Sequence, residues 1–278
     1  MISDRDTPLQ YTSVFGKILA NVWQAMGVRI YVTGRVAVEV DGRVVIDERQ
    51  FRGKQGRLLF VYLVSERSRP VAKEELASVL WPDEQSESWE AALSALTSRL
   101  AALLSSDELE GQGLSFSRQF GQYQIRLASD AWVDIEAGNS ALDRAEAAVR
   151  SGDARNALGP ATVAASIARR PFLPGVEGFW RESLQGKLQR QLVRALDCLG
   201  EMQLEIGEPQ TAVESALEAL RLDPYRERTH RCLMRAYTAA GNRAKALSTY
   251  HEFRQLLGEE VGTEPESETQ ALYVELLN

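Results

Sequence analysis

Gly207-Glu-Pro-Gln-Thr-Ala-Val213 and Gly241-Asn-Arg-Ala-Lys-Ala-Leu247 carry one pattern, Gly-x4-Ala followed by an aliphatic residue, 34 residues apart. Gly152-Asp-Ala-Arg-Asn-Ala-Leu158 carries it a third time, in a more degenerate setting. In the clear pair, Leu199 aligns with Leu233 and Ala216 with Tyr250. Glycine supplies the left-handed backbone that closes a tight turn between helices. Alanine lets the two helices approach closely. The pattern therefore predicts stacked antiparallel helix pairs, with at least two clear repeats and one degenerate repeat around Gly152. Leu222-Asp223-Pro224 is read as the start of the next helix, and the stretch Arg169-Arg-Pro-Phe-Leu-Pro-Gly175 as a loop that interrupts the degenerate copy.

A 34-residue period with small residues at constant offsets is the mark of tetratricopeptide-like repeats. Upstream of Trp132-Val-Asp-Ile135 the chain reads differently. Residues 28–34, 35–40 and 43–46 are short β-rich runs, and Asp41-Gly42 between two of them is a strong hairpin signal. They predict three strands in a small antiparallel sheet. Helical spacing follows over residues 56–66, 72–81 (ended by Pro82) and 88–104. Residues 114–127 then alternate as a hairpin. Sheet, three helices, hairpin is the order of a helix-turn-helix with a wing. The expected fold class is mostly α with a small β component. A winged helix-turn-helix domain over residues 28–128 precedes a tetratricopeptide-like α-helical repeat domain over residues 129–278. Residues 1–27 are expected to form a helical extension, apolar at Val14, Phe15, Ile18, Leu19, Val22, Trp23 and Met26. That face would pack on its own domain, or on a second copy or another partner.

Composition narrows the function classes. The 278 residues carry a net charge of −7. Residues 28–127 hold 13 Lys+Arg against 14 Asp+Glu, or −1, and residues 128–278 hold 17 against 23, or −6. No segment is basic overall, which disfavours strong non-specific binding to nucleic acid and leaves room for a local basic face. Cys198 and Cys232 stand alone in helical patterns and fit neither a metal spacing nor a disulfide framework. With no secretion-type leader and no apolar run of membrane-spanning length, the expected compartment is the cytoplasm. There is no Gly-rich phosphate loop, no Gly-x-Ser-x-Gly and no metal cluster. The two histidines, His230 and His251, sit in repeat helices, and His230 reads as a packed residue. No enzyme, cofactor or metal is expected.

Three stretches carry a family resemblance. Asp223-Pro-Tyr-Arg-Glu-Arg-Thr-His-Arg-Cys-Leu-Met-Arg-Ala-Tyr237, Ala240-Gly-Asn-Arg-Ala-Lys-Ala-Leu-Ser-Thr-Tyr250 and Leu257-Gly-Glu-Glu-Val-Gly-Thr-Glu-Pro-Glu-Ser-Glu-Thr269 resemble the bacterial transcriptional activator domain of the Streptomyces antibiotic regulatory protein family. Arg52-Gly-Lys-Gln-Gly-Arg-Leu-Leu59 and Glu75-Leu-Ala-Ser-Val-Leu-Trp-Pro82 resemble the OmpR-type winged helix of the same family. The resemblance covers residues 28–278. It implies a regulator that binds double-stranded promoter DNA, often as a homodimer on repeated half-sites, and contacts RNA polymerase.

In such a domain the third helix enters the major groove and reads base edges. Here its outward face is expected to hold Glu87, Ala91, Ser94, Ala95, Ser98, Ala102 and Ser105, with Arg99 on the flank and Thr97 turned inward. That is a small, nearly neutral reading surface. Serine pairs with several bases and discriminates weakly, so Ser94 and Ser98 are its base-edge candidates. Arg52, Lys54 and Arg57 at the start of the first helix, and Arg118 with Gln119 at the wing, are the phosphate candidates. The alternative is a protein-interaction adaptor or a sensor of an anionic ligand such as a cyclic dinucleotide, with degenerate DNA readout. For that ligand Arg226, Arg228, Arg231 and Arg235 are the candidates, the last three sharing a helical face. Ion pairs with neighbours such as Glu227 are the plainer reading of that series.

Overall fold

The computed structural model describes residues 27–82 and 87–278. The helix expected over residues 14–26 lies outside the described residues. The chain opens with β1 (Val28–Tyr31), β2 (Ala37–Val40) and β3 (Arg43–Ile46), antiparallel in sequence. Asp41 and Gly42 have φ of 49° and 78°, so both central residues of the β2–β3 turn are left-handed, the geometry of a two-residue I′ hairpin. The expected three-stranded sheet gains a fourth member. β7 (Trp132–Val133) pairs parallel with β1, Arg29 opposite Trp132 and Ile30 opposite Val133. A two-residue strand leaves no alternation to read, which is why the sequence did not reveal it.

After a 3-10 turn (Glu48–Phe51) come α1 (Lys54–Ser65), β4 (Val71–Ala72), α2 (Lys73–Leu80), α3 (Trp89–Leu104) and the short α4 (Asp107–Gly111). β5 (Ser115–Gln119) and β6 (Gln122–Arg126) form the wing, and β4 joins it to make a second sheet in the order β4-β6-β5. Gly56 lets the 3-10 turn lie tight on α1, because a Cβ there would sit 1.8 Å from the Phe51 carbonyl oxygen.

The remaining helices are α5 (Asp134–Arg150), α6 (Ala154–Ala168), α7 (Phe179–Glu205), α8 (Pro209–Leu222), α9 (Glu227–Ala239), α10 (Arg243–Glu260) and α11 (Ser267–Leu277). Each packs on the next in sequence, the solenoid arrangement of repeat proteins. The Gly-x4-Ala pattern does what its chemistry requires. Gly152, Gly207 and Gly241 take φ of 72°, 82° and 76° in the inter-helix turns, and Ala157, Ala212 and Ala246 are fully buried. One boundary is displaced. The helix expected to open at Leu222-Asp223-Pro224 starts at Glu227, because Leu222 still ends α8 and Pro224-Tyr225 form a turn. Among the described residues no helix is long and apolar enough to cross a membrane.

The loop between α6 and α7 does more than interrupt a repeat. The Gly34 N–H donates to the Pro171 carbonyl at 2.7 Å, and Thr33 bridges to Phe172. Phe172, Leu173, Val176 and Leu188 sit in the same apolar core as Ile30, Val32, Leu59, Leu63 and Leu76. The winged-helix elements and the first repeat helices thus share one core.

Candidate nucleic-acid interface

α3 turns Leu93, Thr97, Leu100 and Leu104 inward, and Ala91, Ser94, Ala95, Ser98, Arg99, Ala102 and Ser105 outward. This is the rotation that the leucine spacing predicts. Thr97 satisfies its buried hydroxyl by donating to the Leu93 carbonyl at 2.9 Å. Glu87 is exposed just ahead of the helix.

The wing is pinned to this face. Arg118 Nη1 donates to Ser98 Oγ at 2.7 Å, leaving the serine hydroxyl hydrogen free to donate outward. The Gly121 carbonyl at the wing turn accepts from the Lys73 N–H at 3.0 Å. Lys73 Nζ bridges to Glu90 at 2.5 Å, and that partner raises the lysine's pKa above its ordinary value. Gln119 is exposed beside the turn.

At the other end of α3, Arg52 and Arg99 line a crevice of about 330 Å³ whose floor is Phe51, Leu59, Leu96 and Leu100. Arg52 has φ +50° at the end of the 3-10 turn and is exposed. Lys54 is exposed one residue past Gly53, its stem beside Gly175. Among the described residues, no carboxylate lies within ion-pair distance of Arg52, Lys54, Arg99 or Arg118. Arg57 differs. It is largely buried and ion-paired with Glu48, its Nε without a hydrogen-bond partner.

The arginine series of α9 lies far along the repeats and is engaged. Arg226 Nε bonds the buried Asp197 at 2.5 Å, and Asp197 also accepts from Thr229 Oγ1 at 2.5 Å. Arg228 and Arg235 converge on Glu201 of α7, at 3.8 and 2.7 Å. Arg231 turns to α11, with Glu266 at 3.3 Å, Glu268 at 3.0 Å and Thr269 at 3.0 Å. These are cross-helix pairs. Glu227, the neighbour suggested by sequence, instead accepts from the Glu266 backbone N–H at 2.6 Å. The helical-face reading had 228, 231 and 235 together, yet the close packing of α9 between α7 and α11 splits them.

His230 is buried, its Nε2 2.9 Å from the Pro224 carbonyl and its ring stacked on Phe253. Burial holds its pKa below the usual histidine value. Cys198 and Cys232 are free and buried, their thiols pushed by desolvation up to about 11 and about 12. Among the described residues no group of His, Cys, Asp and Glu is arranged to hold a metal ion.

The fold is thus a winged helix resting on stacked helix pairs, with an exposed third helix and a pinned wing. Residues 133–277 match the family described as the bacterial transcriptional activator domain, and the chain belongs to that family. It is similar to Regulatory protein AfsR of Streptomyces coelicolor, 27% identical over 223 residues, covering 80% of this chain and 22% of that protein. It is also similar to Regulatory protein AfsR of Streptomyces griseus, 26% identical over 225 residues with the same 80% and 22% coverage. The chain thus spans 22% of the length of these relatives. Among solved structures it resembles Mycobacterium tuberculosis EmbR, there in complex with a low-affinity phosphopeptide. The TM-score is 0.76 at 20% identity over 90% of this chain and 65% of that one, a likeness of fold. The kinship with the Streptomyces antibiotic regulatory proteins expected from the sequence holds.

Proposed function

We propose that this chain is a transcription regulator that acts by binding double-stranded promoter DNA, with α3 in the major groove and the wing over the adjoining backbone. The observation that carries the reading is the pairing of its cations. Arg57, Arg67, Arg69 and Lys73 of the same domain are tied to carboxylates. Arg52, Arg99 and Arg118, which flank the exposed face of α3, and Lys54 at the start of α1 have none among the described residues. Unpaired arginines and lysines around a helix of groove-sized width are what phosphate neutralisation needs. The reading keeps Ser94 and Ser98 as base-edge contacts and Gln119 as a wing contact, and it leaves Arg57 out. Serines and alanines read bases weakly, so sequence preference would come largely from DNA shape. The helical domain would supply dimerisation or RNA polymerase contact, in the cytoplasm.

The test is a salt titration of the whole chain on a duplex recovered by in vitro selection. Arg52→Ala, Lys54→Ala, Arg99→Ala and Arg118→Ala should each weaken binding and lower the log–log salt slope by about one. Arg57→Ala should leave the slope unchanged. If none of the four alters binding, this docking is wrong.

A further inference from the structure

The wing turn places a phenylalanine where the backbone disfavours one. Phe120 and Gly121 are the two central residues between the paired Gln119 and Gln122, with φ of 52° and 72°. The first of these positions ordinarily takes Asn, Asp or Gly, and a bulky residue there is a true conformational outlier. Four non-glycine residues among those described have positive φ: Asp41, Arg52, Phe120 and Leu173. Asp41 turns its carboxylate to the Gly27 N–H at 3.0 Å, and Leu173 is 2% exposed in the shared core, so packing offsets its strain. Phe120 is 101% exposed and gains no such burial among the described residues.

The tip that carries it is held from two sides, by the Arg118–Ser98 hydrogen bond and by the Lys73 N–H on the Gly121 carbonyl. Backbone strain held in place by its surroundings, with no internal return, points to a contact made outside the chain. The surroundings indicate its chemistry. The wing strands and turn, residues 115–126, contain Arg118 and Arg126 and no Asp or Glu. A protein face that meets Phe120 meets this cationic, carboxylate-free hairpin as well, and polyanionic duplex is its complement.

We propose that Phe120 is an apolar wedge that enters the minor groove beside the α3 site and opens a base step. Arg118 takes the neighbouring phosphate. This rests on the DNA-binding reading above. Apolar side chains at such positions partly unstack a step and bend the duplex, which adds selectivity for steps that open easily without any hydrogen bond to a base. It would supply the selectivity that the serine and alanine face of α3 lacks.

The test uses the whole chain, the selected duplex and a fluorescent adenine analogue placed at successive steps. Phe120→Gly and Phe120→Asn both suit the left-handed backbone, so melting temperatures should be equal to or above that of the parent. Both should lose affinity by about tenfold, the scale of one base–aromatic contact, with the salt slope unchanged. The analogue should brighten at one step with the parent chain and at none with either variant. Arg118→Ala, by contrast, should lower the slope. If the variants bind and unstack as the parent does, the wedge is overturned while DNA binding stands, and a protein surface becomes the contact to seek. If the parent chain binds no duplex at any salt, both readings fall together.

Discussion

Asp134 shows how much one residue's surroundings decide. Its place at the start of a helical stretch is legible, since acids favour the first turn of a helix. What it does there is not. The fully buried carboxylate accepts from the Val32 N–H at 3.1 Å, the Thr33 N–H at 3.0 Å and Thr33 Oγ1 at 2.7 Å, partners about a hundred residues away. It also accepts from the Ile135 N–H at 2.8 Å, and Arg170 stands 3.9 Å off. Asp134→Ala would strand several buried donors and should cost about 3 kcal/mol or more in urea unfolding. Desolvation raises the Asp134 pKa despite these bonds. A raised folded value means the folded state holds the proton more tightly. The associated stability is present below the unfolded value and is lost as pH rises through the folded one. Glu75 and Glu146, lowered by Arg69 and Arg194, act in the opposite sense, so the comparison must be between variants. The stability of the parent relative to Asp134→Asn should fall as pH rises from about 4. A relative stability that climbs over that range would reverse this assignment. Arg52 and Arg57 make the same point about legibility. Both stand in one basic stretch, and only the 3-10 turn that brings Glu48 to Arg57 separates a free cation from a paired one.

At the scale of elements, the helix pairs were legible because their chemistry repeats. Glycine turns and buried alanines recur at one offset, and each copy supports the others. The contacts between non-adjacent helices were not, since nothing repeats in them. Gly200 near the C-terminal end of α7 is the clearest case. A Cβ there would come within 2.8 Å of Cys232 Sγ on α9. Glycine costs about 1 kcal/mol against alanine inside a helix. The overlap outweighs that gain, because both residues are buried and overpacking costs about 1–3 kcal/mol. Gly200→Ala alone should therefore lower stability. Combined with Cys232→Ala, which removes the opposing sulfur, it should recover much of the loss, so the double variant is more stable than the two single effects summed. Strict additivity in thermal or urea unfolding would mean that the α7–α9 contact is looser than this geometry. β7 was illegible for a related reason: two residues carry no period, and their parallel partner is set by the fold around them.

The whole molecule joins what the sequence divides. The change from β-rich to helical patterning near residue 128 is plain on reading, and it suggests two separate domains. Yet Trp132–Val133 completes the first sheet, and Phe172, Leu173, Val176 and Leu188 complete the first core. Trp180 meets Tyr62 of α1 edge-on and packs tilted against Phe172 of the docked loop. Cooperative unfolding follows a contiguous core rather than a compositional boundary. The protein should therefore melt in urea as one unit. Tryptophan fluorescence reports the shared core, through Trp81, Trp89 and Trp180, and far-ultraviolet dichroism reports chiefly the helices from α5 to α11. The two curves should coincide. Phe172 is 1% exposed, and Phe172→Ala should cost about 3–5 kcal/mol. If the core is shared, that loss moves both curves by the same amount, although the residue lies outside the winged-helix elements. A fluorescence transition that shifts alone, with the helical signal unmoved, would show two separable bodies. The distinction bears on function, because any signal that reaches the repeats could then reach α3 and the wing only through this core, with no swinging linker between them.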